Sequence, residues 1–378
     1  MQRILSPVLL YTIFFFTGIA TVLLGVLLPY IHAVSSQEDL HTGWLLASQF
    51  IGQLIGALFV GRRPSRSVGF GLLLTLSCAA AVPYRWGLNP VTQFFYGLGL
   101  GITMTAVNIL AGREATPEKR ASRLQMLNVF WPLGAAAAPW CVAAIVRSFH
   151  PETACIFLAI TLGFLLLLFS LNMRGASRAS IAQKTVEHPL PWYRLLLYCS
   201  IALLCVGVET ALANWLPSYS ARSLSHTGSI AAAASLFWCG VLSGRLSAAS
   251  VFRNLPWNIY GTASAIACIL ASLALILSSS PLLICISSFV AAFGVAPLYP
   301  AVLARSIHVR LKNLIFFSAG IGSAAVPWLV GRVSYATDSL KEALLVPTIA
   351  AVLLALGLCY EPRAMTPLTI TFDGKDHI

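Results

Sequence analysis

Charged residues are scarce in this chain. Of its 378 residues, only 10% are Asp, Glu, Lys or Arg, whereas 58% are hydrophobic. Soluble domains carry about 25% charged residues, so the composition excludes an ordinary water-soluble protein. Acids are the scarcer sign, with 12 Asp and Glu against 24 Lys and Arg. The net charge of +12 could indicate nucleic acid, but the basic residues fall in short connections between apolar runs, so we expect no nucleic-acid partner.

Motifs for metal, cofactor or nucleotide chemistry are absent as well. The nine cysteines lie in apolar stretches without C-x-x-C spacing, and we expect them to be small buried residues. Gly97-x-Gly-x-Gly101 lies inside an apolar run with no strand before it, so it is no dinucleotide site. The sequence has no H-E-x-x-H motif and no paired carboxylates within an apolar run. We therefore predict no metal, no cofactor, no catalytic residues and no enzyme activity.

Long apolar runs are what the chain has instead. Residues 6–30, 153–171 and 343–360 each approach or exceed the ~18–20 residues that a helix needs to cross a bilayer. The first run has a very short basic start and no small-residue cleavage site, which favours a retained helix over a signal peptide. An all-α membrane protein in a lipid bilayer is the predicted class.

Charge clusters and breaks rich in Pro, Gly and Ser divide the chain into twelve predicted spans. They lie near 6–32, 41–61, 67–86, 90–111, 122–146, 152–172, 193–220, 227–249, 256–278, 281–304, 313–333 and 342–360. With the N-terminus inside, about 19 Lys and Arg, among them Arg245, fall on the inner side and about 5 on the outer side. This bias predicts a multi-pass protein of a bacterial inner membrane with both termini in the cytoplasm.

The predicted spans divide into two related halves. We predict an N-terminal bundle at 1–172, a cytoplasmic linker at 173–192, a C-terminal bundle at 193–360 and a cytoplasmic tail at 361–378. GAAAAPW at 134–140 in span five matches GSAAVPW at 322–328 in span eleven, six spans later. Two six-helix halves in the same orientation are typical of secondary transporters.

With this layout the chain resembles the major facilitator superfamily, over 11–360. Segments 206–219 (VGVETALANWLPSY) and 320–334 (GIGSAAVPWLVGRVS) resemble the branch of fucose, galactose and glucose permeases. The resemblance implies two pseudo-symmetric six-helix bundles around a cavity lined by spans one, four, seven and ten. The chain also departs from the family, because the acid of the loop motif is missing from GALFVGRR at 56–63, and Gln93 stands where an arginine is common.

Glu209 is the one acid deep in a predicted span. A carboxylate at that depth costs at least ~2.5–3.5 kcal/mol, so it is a candidate for substrate binding and proton coupling. The alternative is a protonated acid hydrogen-bonded to a neighbouring helix. Asn214 lies about 140° around the helix from Glu209 and would share its cavity only if Pro217 distorts the helix. Trp215 could stack on a sugar or anchor at the membrane interface.

Neutral polar and aromatic residues complete the candidate binding site. Asn108 lies in span four, and Gln125, Asn128 and Trp131 lie within about two turns of span five. Trp238 in span eight and Tyr299 in span ten complete the set in the second half. Together they suit a neutral, hydroxyl-rich ligand, although each amide could instead hydrogen-bond between helices.

The predicted function is secondary transport of a small polar, sugar-like solute by alternating access, with Glu209 as the proton-linked group. Symport and facilitated uniport both stay open. The alternative is a proton-coupled efflux antiporter for amphipathic or cationic compounds. It is favoured by the lone acid and by Gly134-x-x-x-Ala138-Pro139, which resembles the span-five motif of antiporters. We expect a monomer whose partners are its small-molecule substrate and the bilayer.

Overall fold

A computed structural model describes residues 6–31, 36–60, 63–84, 88–114, 117–173, 191–224, 227–252, 255–306 and 311–360. Within these ranges all regular secondary structure is helical. The predicted linker, apart from its ends, and the whole predicted tail lie outside the described residues, so these domain boundaries stay predictions.

Fourteen helices are seen in the described residues. They are α1 Pro7–Ile31, α2 Ser36–Leu58, α3 Pro64–Ala81, α4 Pro90–Glu114, α5 Pro117–Val146, α6 Thr153–Met173, α7 Trp192–Ser223, α8 Thr227–Ala249, α9 Trp257–Leu277, α10 Pro281–Val295, α11 Leu298–Ser306, α12 Lys312–Thr337, α13 Leu340–Ala343 and α14 Leu345–Tyr360.

These helices form the twelve predicted spans. α10 and α11 belong to one span that is interrupted by a turn at Ala296 and Pro297, and the short α13 leads into α14. Ten of the described segments are long and apolar enough to cross a membrane by themselves. α2 and α3 are not among those ten. α2 carries acids in its first turn and two glutamines further on, so packing against other spans compensates for its polarity.

The two halves use the same helix packing. In the first half α1 packs on α5, α2 on α4, and α3 on α6. In the second half α7 packs on α12, α8 on α10, and α9 on α14, which are the equivalent pairs six spans later. The halves meet where α2 contacts α12, α5 contacts α8 and α1 contacts α7. The prediction of two pseudo-symmetric six-span bundles is confirmed.

The glycines of the repeated motif are contact points in this packing. A Cβ on Gly134 in α5 would overlap the carbonyl oxygen of Phe15 in α1. A Cβ on Gly322 in α12 would overlap the carbonyl oxygen of Leu203 in α7 in the same way. Only a residue without a side chain lets these backbones approach so closely. The repeated motif therefore marks the same kind of close helix crossing in both halves, between α5 and α1 and between α12 and α7.

Substitution of either motif glycine by alanine should destabilise the transmembrane bundle. We expect Gly134→Ala and Gly322→Ala each to lower the free energy of unfolding by about 1–3 kcal/mol, because the crossing helices must move apart. Gly163→Ala in α6 is the matched control, since nothing lies within 4 Å of its added Cβ. It should be neutral or slightly stabilising. Equal losses in all three variants, measured by denaturant unfolding in micelles, would contradict the packing role.

Candidate functional site

A cavity of about 370 Å³ lies between the two halves. Its walls come from α1, α2, α4, α5, α7, α8, α11 and α12. The lining residues of α1 and α12 lie in the first two-thirds of each helix, and those of α2 lie in its second half. We call the end of the bundle where α1 begins and α2 ends the proximal end, and the opposite end the distal end. The cavity thus lies in the middle and proximal part of the bundle.

The two halves are in close contact at the distal end. A Cβ on Gly43 in α2 would lie 3.1 Å from the Trp328 carbonyl oxygen in α12. The rings of Trp44 and Trp328 meet edge to face, 5.4 Å between centroids. In α1, a Cβ on Gly25 would lie 2.9 Å from the Cα of Asn214 in α7. These contacts close the bundle on the distal side of the cavity.

A polar cluster joins the halves at the same closed end. The guanidinium of Arg222 in α7 donates to Asp39 Oδ1 in α2 at 2.6 Å, and the Ser334 hydroxyl in α12 donates to Asp39 Oδ2 at 2.6 Å. Asp39 is only 3% exposed. From the sequence alone Asp39 had no role, because it lies just outside the second predicted span. Its signal was available, since Asp39 and Arg222 fall at the same predicted end of two spans.

Glu209 has a basic partner in the cavity. Arg245 Nη2 lies 3.0 Å from Glu209 Oε1 and 3.3 Å from Oε2. The charge count counted Arg245 among the basic residues of the cytoplasmic side and gave it no role, whereas in the structure its guanidinium reaches into the cavity from α8. An arginine inside a predicted span needs an acid nearby, and Glu209 was the one acid at that depth.

The interrupted tenth span supplies a second acceptor for Arg245. Its Nε lies 3.4 Å from the Ala296 carbonyl oxygen, at the turn between α10 and α11. In an unbroken helix that carbonyl would accept from the residue four places on, but this residue is Pro300, which has no N–H. The proline therefore leaves a carbonyl free for the arginine.

Glu209 and Asn214 both line the cavity, although α7 is continuous from Trp192 to Ser223. The predicted distortion at Pro217 is therefore not needed. A wide face of α7 borders the cavity, because Val206, Glu209, Thr210, Ala213 and Asn214 all contribute to it. The helix break occurs in span ten instead.

Four further predicted residues also line the cavity. Asn128 and Trp131 come from α5, Trp238 comes from α8, and Tyr299 comes from α11. The indoles of Trp131 and Trp238 meet edge to face at 5.1 Å, one from each half. The cavity is therefore bordered by aromatic rings at the contact between α5 and α8.

Two predicted residues, Trp215 and Asn108, do not line the cavity. Trp215 is 0% exposed and donates its indole N–H to the Pro327 carbonyl oxygen of α12 at 2.9 Å, so it packs between helices and neither stacks on a ligand nor anchors at an interface. Asn108 donates to the Met104 carbonyl of its own helix at 2.9 Å and is not among the lining residues. Gln125 lies in α5, but its side chain is outside the described residues.

Several polar atoms at the cavity have no hydrogen-bond partner among the described residues. They are the side-chain oxygens of Gln53 and Asn214 and the indole nitrogen of Trp131. A buried polar atom left without a partner costs about 1–3 kcal/mol. These atoms are buried in the cavity wall, and a bound molecule would reach the one donor and two acceptors only after the side chains turn toward it.

The comparisons with known proteins agree with this architecture. A family model described as Major Facilitator Superfamily matches residues 10–331. The chain belongs to this superfamily. It is therefore a multi-pass integral membrane transporter with a small-molecule substrate.

One relative by sequence is the glucose/mannose transporter GlcP of Bacillus subtilis (strain 168), 25% identical over 393 residues that cover 97% of this chain and 96% of GlcP. One similar solved structure is that of a bacterial homologue of the human lysosomal transporter Spinster, in an inward-facing and occupied conformation. Its TM-score is 0.74 at 14% identity, and the match covers 93% of this chain and 95% of the homologue. A variant of the E. coli fucose:proton symporter FucP has a TM-score of 0.60 at 18% identity, covering 97% and 100%. The two structures establish a shared fold.

Removal of Arg222 should destabilise the closed distal end. Arg222→Gln leaves the buried Asp39 carboxylate without its counter-charge. In a fully buried pair such a change lowers the free energy of unfolding by about 3–5 kcal/mol. We expect a smaller loss here, because the Arg222 side chain is 22% exposed. Adding Asp39→Asn should recover part of the loss, so a double-mutant cycle in the free energy of unfolding should show coupling.

The matched control for this cycle is Arg332→Gln, which removes an exposed arginine of α12 two residues from Ser334. We expect it to change the free energy of unfolding by less than about 0.5 kcal/mol. Strictly additive effects of the Asp39 and Arg222 changes would show that the cluster does not join the halves energetically.

Proposed function

We propose that this transporter moves a neutral, hydroxyl-rich solute of the sugar class by alternating access. The observation that carries the proposal is the composition of the cavity. Glu209 and Arg245 are the two charged residues among its described lining residues, and they neutralise each other. A site with no net charge favours a neutral solute over an ion, because an ion would lose its hydration without gaining a counter-charge.

The polar atoms without partners support the same class of substrate. The side chains of Asn214, Gln53 and Trp131 border the cavity and carry buried, unpaired acceptors and a donor. Hydroxyl groups of a bound solute would satisfy these atoms once the side chains turn toward it, since each hydroxyl both donates and accepts. Trp131 and Trp238 supply flat apolar surfaces of the kind that cover the C–H face of a sugar ring. The similarity to GlcP, whose described substrates are glucose and mannose, points to a hexose.

The closed distal end supports the transport cycle. In this conformation the cavity lies on the proximal side of the contacts between α2 and α12 and between α1 and α7. Access from the distal side requires the halves to separate there, which breaks the bonds of Asp39 to Arg222 and Ser334. The excess of Lys and Arg in the connections of the proximal end supports a cytoplasmic position for this end. The two halves of one chain form the cavity, so a monomer is sufficient for the proposed cycle.

Proton coupling would use the exchange of partners at Arg245. When Glu209 is ionised it pairs with Arg245, and when Glu209 takes up a proton this attraction is lost. The Ala296 carbonyl then remains as an acceptor for the guanidinium. A proton could therefore change the shape of the cavity while Arg245 keeps one hydrogen-bond acceptor, although its positive charge then has no counter-charge among the described lining residues.

The alternative, efflux of amphipathic or cationic compounds, draws support from the aromatic wall of the cavity. Its main premise was an unpaired acid that could bind a cation, and Glu209 is paired with Arg245. We therefore rank sugar transport first and use cationic compounds as a competing ligand set.

Hexoses should stabilise the purified protein against heat. We expect glucose or mannose at a hundred times Kd to add about 2.7 kcal/mol, read as a rise in the unfolding temperature. Asn214→Ala should remove most of this rise, because it deletes an acceptor in the cavity wall. Asn108→Ala is the matched control, since Asn108 is an amide of α4 in the first half that does not line the cavity, and this variant should keep the rise.

The same assay decides against the proposal in two ways. Stabilisation by a cationic compound such as tetraphenylphosphonium, with none by any sugar, would favour the efflux alternative. A hexose effect that Asn214→Ala and Asn108→Ala reduce equally would place the ligand outside this cavity.

Glu209→Gln should uncouple transport from the proton gradient. In proteoliposomes loaded with a pH gradient, we expect the unchanged protein to accumulate hexose, and the variant to equilibrate it only. Exchange of labelled for unlabelled hexose should survive, because glutamine keeps the size and polarity of the side chain. Glu152→Gln, in the turn before α6, is the control and should accumulate normally. Accumulation by Glu209→Gln would exclude the coupling role, and equilibration by the unchanged protein would indicate a uniporter.

A further inference from the structure

A second cavity lies apart from the central one, between α2, α3 and α4. Its volume is about 630 Å³, and we call it the α2–α4 groove. Aromatic and aliphatic side chains form most of its wall, and the following are the ones used in the argument: Phe59, Phe70, Phe94, Phe95 and Leu98. Phe59 and Phe70 are 69% and 57% exposed, so the groove is open on the outside of the first bundle. Its wall shares no residue with the central cavity.

The groove runs along the helices and ends in a positive charge. Phe94 and Leu98 mark its inner part, at the level where Gly52 and Gly56 let α2 and α4 cross closely. At the proximal end it is bordered by Arg66, which is exposed and lies in the first turn of α3. The groove therefore has an apolar part within the membrane and a cation at the membrane surface.

No acidic residue lies near Arg66 in the sequence to neutralise its charge. The sequence contains no Asp or Glu between Asp39 and Glu114, so α3 and the connection before it carry only positive charge, from Arg62, Arg63 and Arg66. The amide groups at the start of α3 add the positive end of a helix dipole on the same side. Ser67 lies beside Arg66 in the groove wall, and its hydroxyl donates weakly to the Arg63 carbonyl oxygen at 3.4 Å, from which it would turn to a phosphate.

We propose that the α2–α4 groove binds an anionic glycerophospholipid. One acyl chain fills the space along Phe59, Phe70 and Phe95, and the phosphate lies at Arg66 and Ser67. Because lipid tails surround the whole protein, the apolar part confers little preference among lipids, and the arginine selects the headgroup. Basic pockets between membrane helices on the cytoplasmic side bind anionic headgroups by this same physical principle.

A second copy of this chain is the competing occupant, and charge argues against it. A symmetric dimer through this face would bring the arginines of two identical surfaces together, and the chain as a whole carries a charge of +12. An anionic lipid has the complementary charge. The shape also differs from a flat protein interface, since the groove is a channel between three helices.

The test is lipid binding by the purified full chain in detergent, measured by native mass spectrometry with dioleoyl phosphatidylglycerol and dioleoyl phosphatidylcholine. We expect phosphatidylglycerol to bind more tightly than phosphatidylcholine. Arg66→Gln should weaken phosphatidylglycerol binding about fivefold and leave phosphatidylcholine binding unchanged, because one interfacial arginine contributes on the order of 1 kcal/mol. Ile55→Trp, which fills the groove, should weaken both lipids.

Arg63→Gln is the matched control, because Arg63 is exposed three residues earlier but does not border the groove. It should keep the phosphatidylglycerol preference. An equal loss in Arg63→Gln and Arg66→Gln would show diffuse surface attraction and overturn the site. No preference for phosphatidylglycerol, or a dimer in the mass spectrum that Ile55→Trp dissociates, would overturn it as well. Arg66 is exposed, so its substitution should leave the fold intact, which thermal unfolding can verify.

Discussion

A charge held inside a membrane protein needs a partner, because neither lipid nor a small cavity hydrates it as water does. This constraint explains the two ion pairs described above. Glu209 pairs with Arg245, and Asp39 pairs with Arg222. Both acids are buried, at 8% and 3% exposure. Because an unpaired partner would be costly, each pair can open only when something else takes over one of its members.

The two pairs differ in what must move when they open. Glu209 and Arg245 both belong to the second half, so their contact can change while the halves stay in place. Asp39 and Arg222 come from opposite halves, so their contact breaks only when the distal end opens. In the proposed cycle, the first pair responds to protons and the second stabilises one of the two alternating conformations. A proton-coupled transporter needs both kinds of contact, one sensitive to the ion and one sensitive to the relative position of the halves.

Rigid halves make such a division possible. Close crossings at Gly134 and Gly322 repeat in the two bundles and hold α5 against α1 and α12 against α7. Close backbone packing resists bending, so a change at the interface between halves is expressed as a movement of whole bundles. The interruption of span ten serves a different purpose, since the carbonyl freed by Pro300 accepts from Arg245. The interruption of span ten thus lies beside the ion pair of Glu209 and Arg245.

The sequence by itself determined the class of the protein, the twelve spans, the two related halves and several residues of the cavity. These features depend on the length of apolar runs and on a repeat along the chain, both of which are local. Polar and aromatic residues within the spans stand out in the sequence, and this is how the following cavity residues were found: Asn128, Trp131, Glu209, Asn214, Trp238 and Tyr299.

Only the tertiary structure decided which faces of the helices meet. It paired Glu209 with Arg245, 36 residues away, and Asp39 with Arg222, 183 residues away. It also turned Trp215 toward α12 and excluded Asn108 from the cavity. Such pairings depend on how each helix is rotated about its axis, and spans that are apolar on every side carry no periodic signal from which that rotation can be inferred.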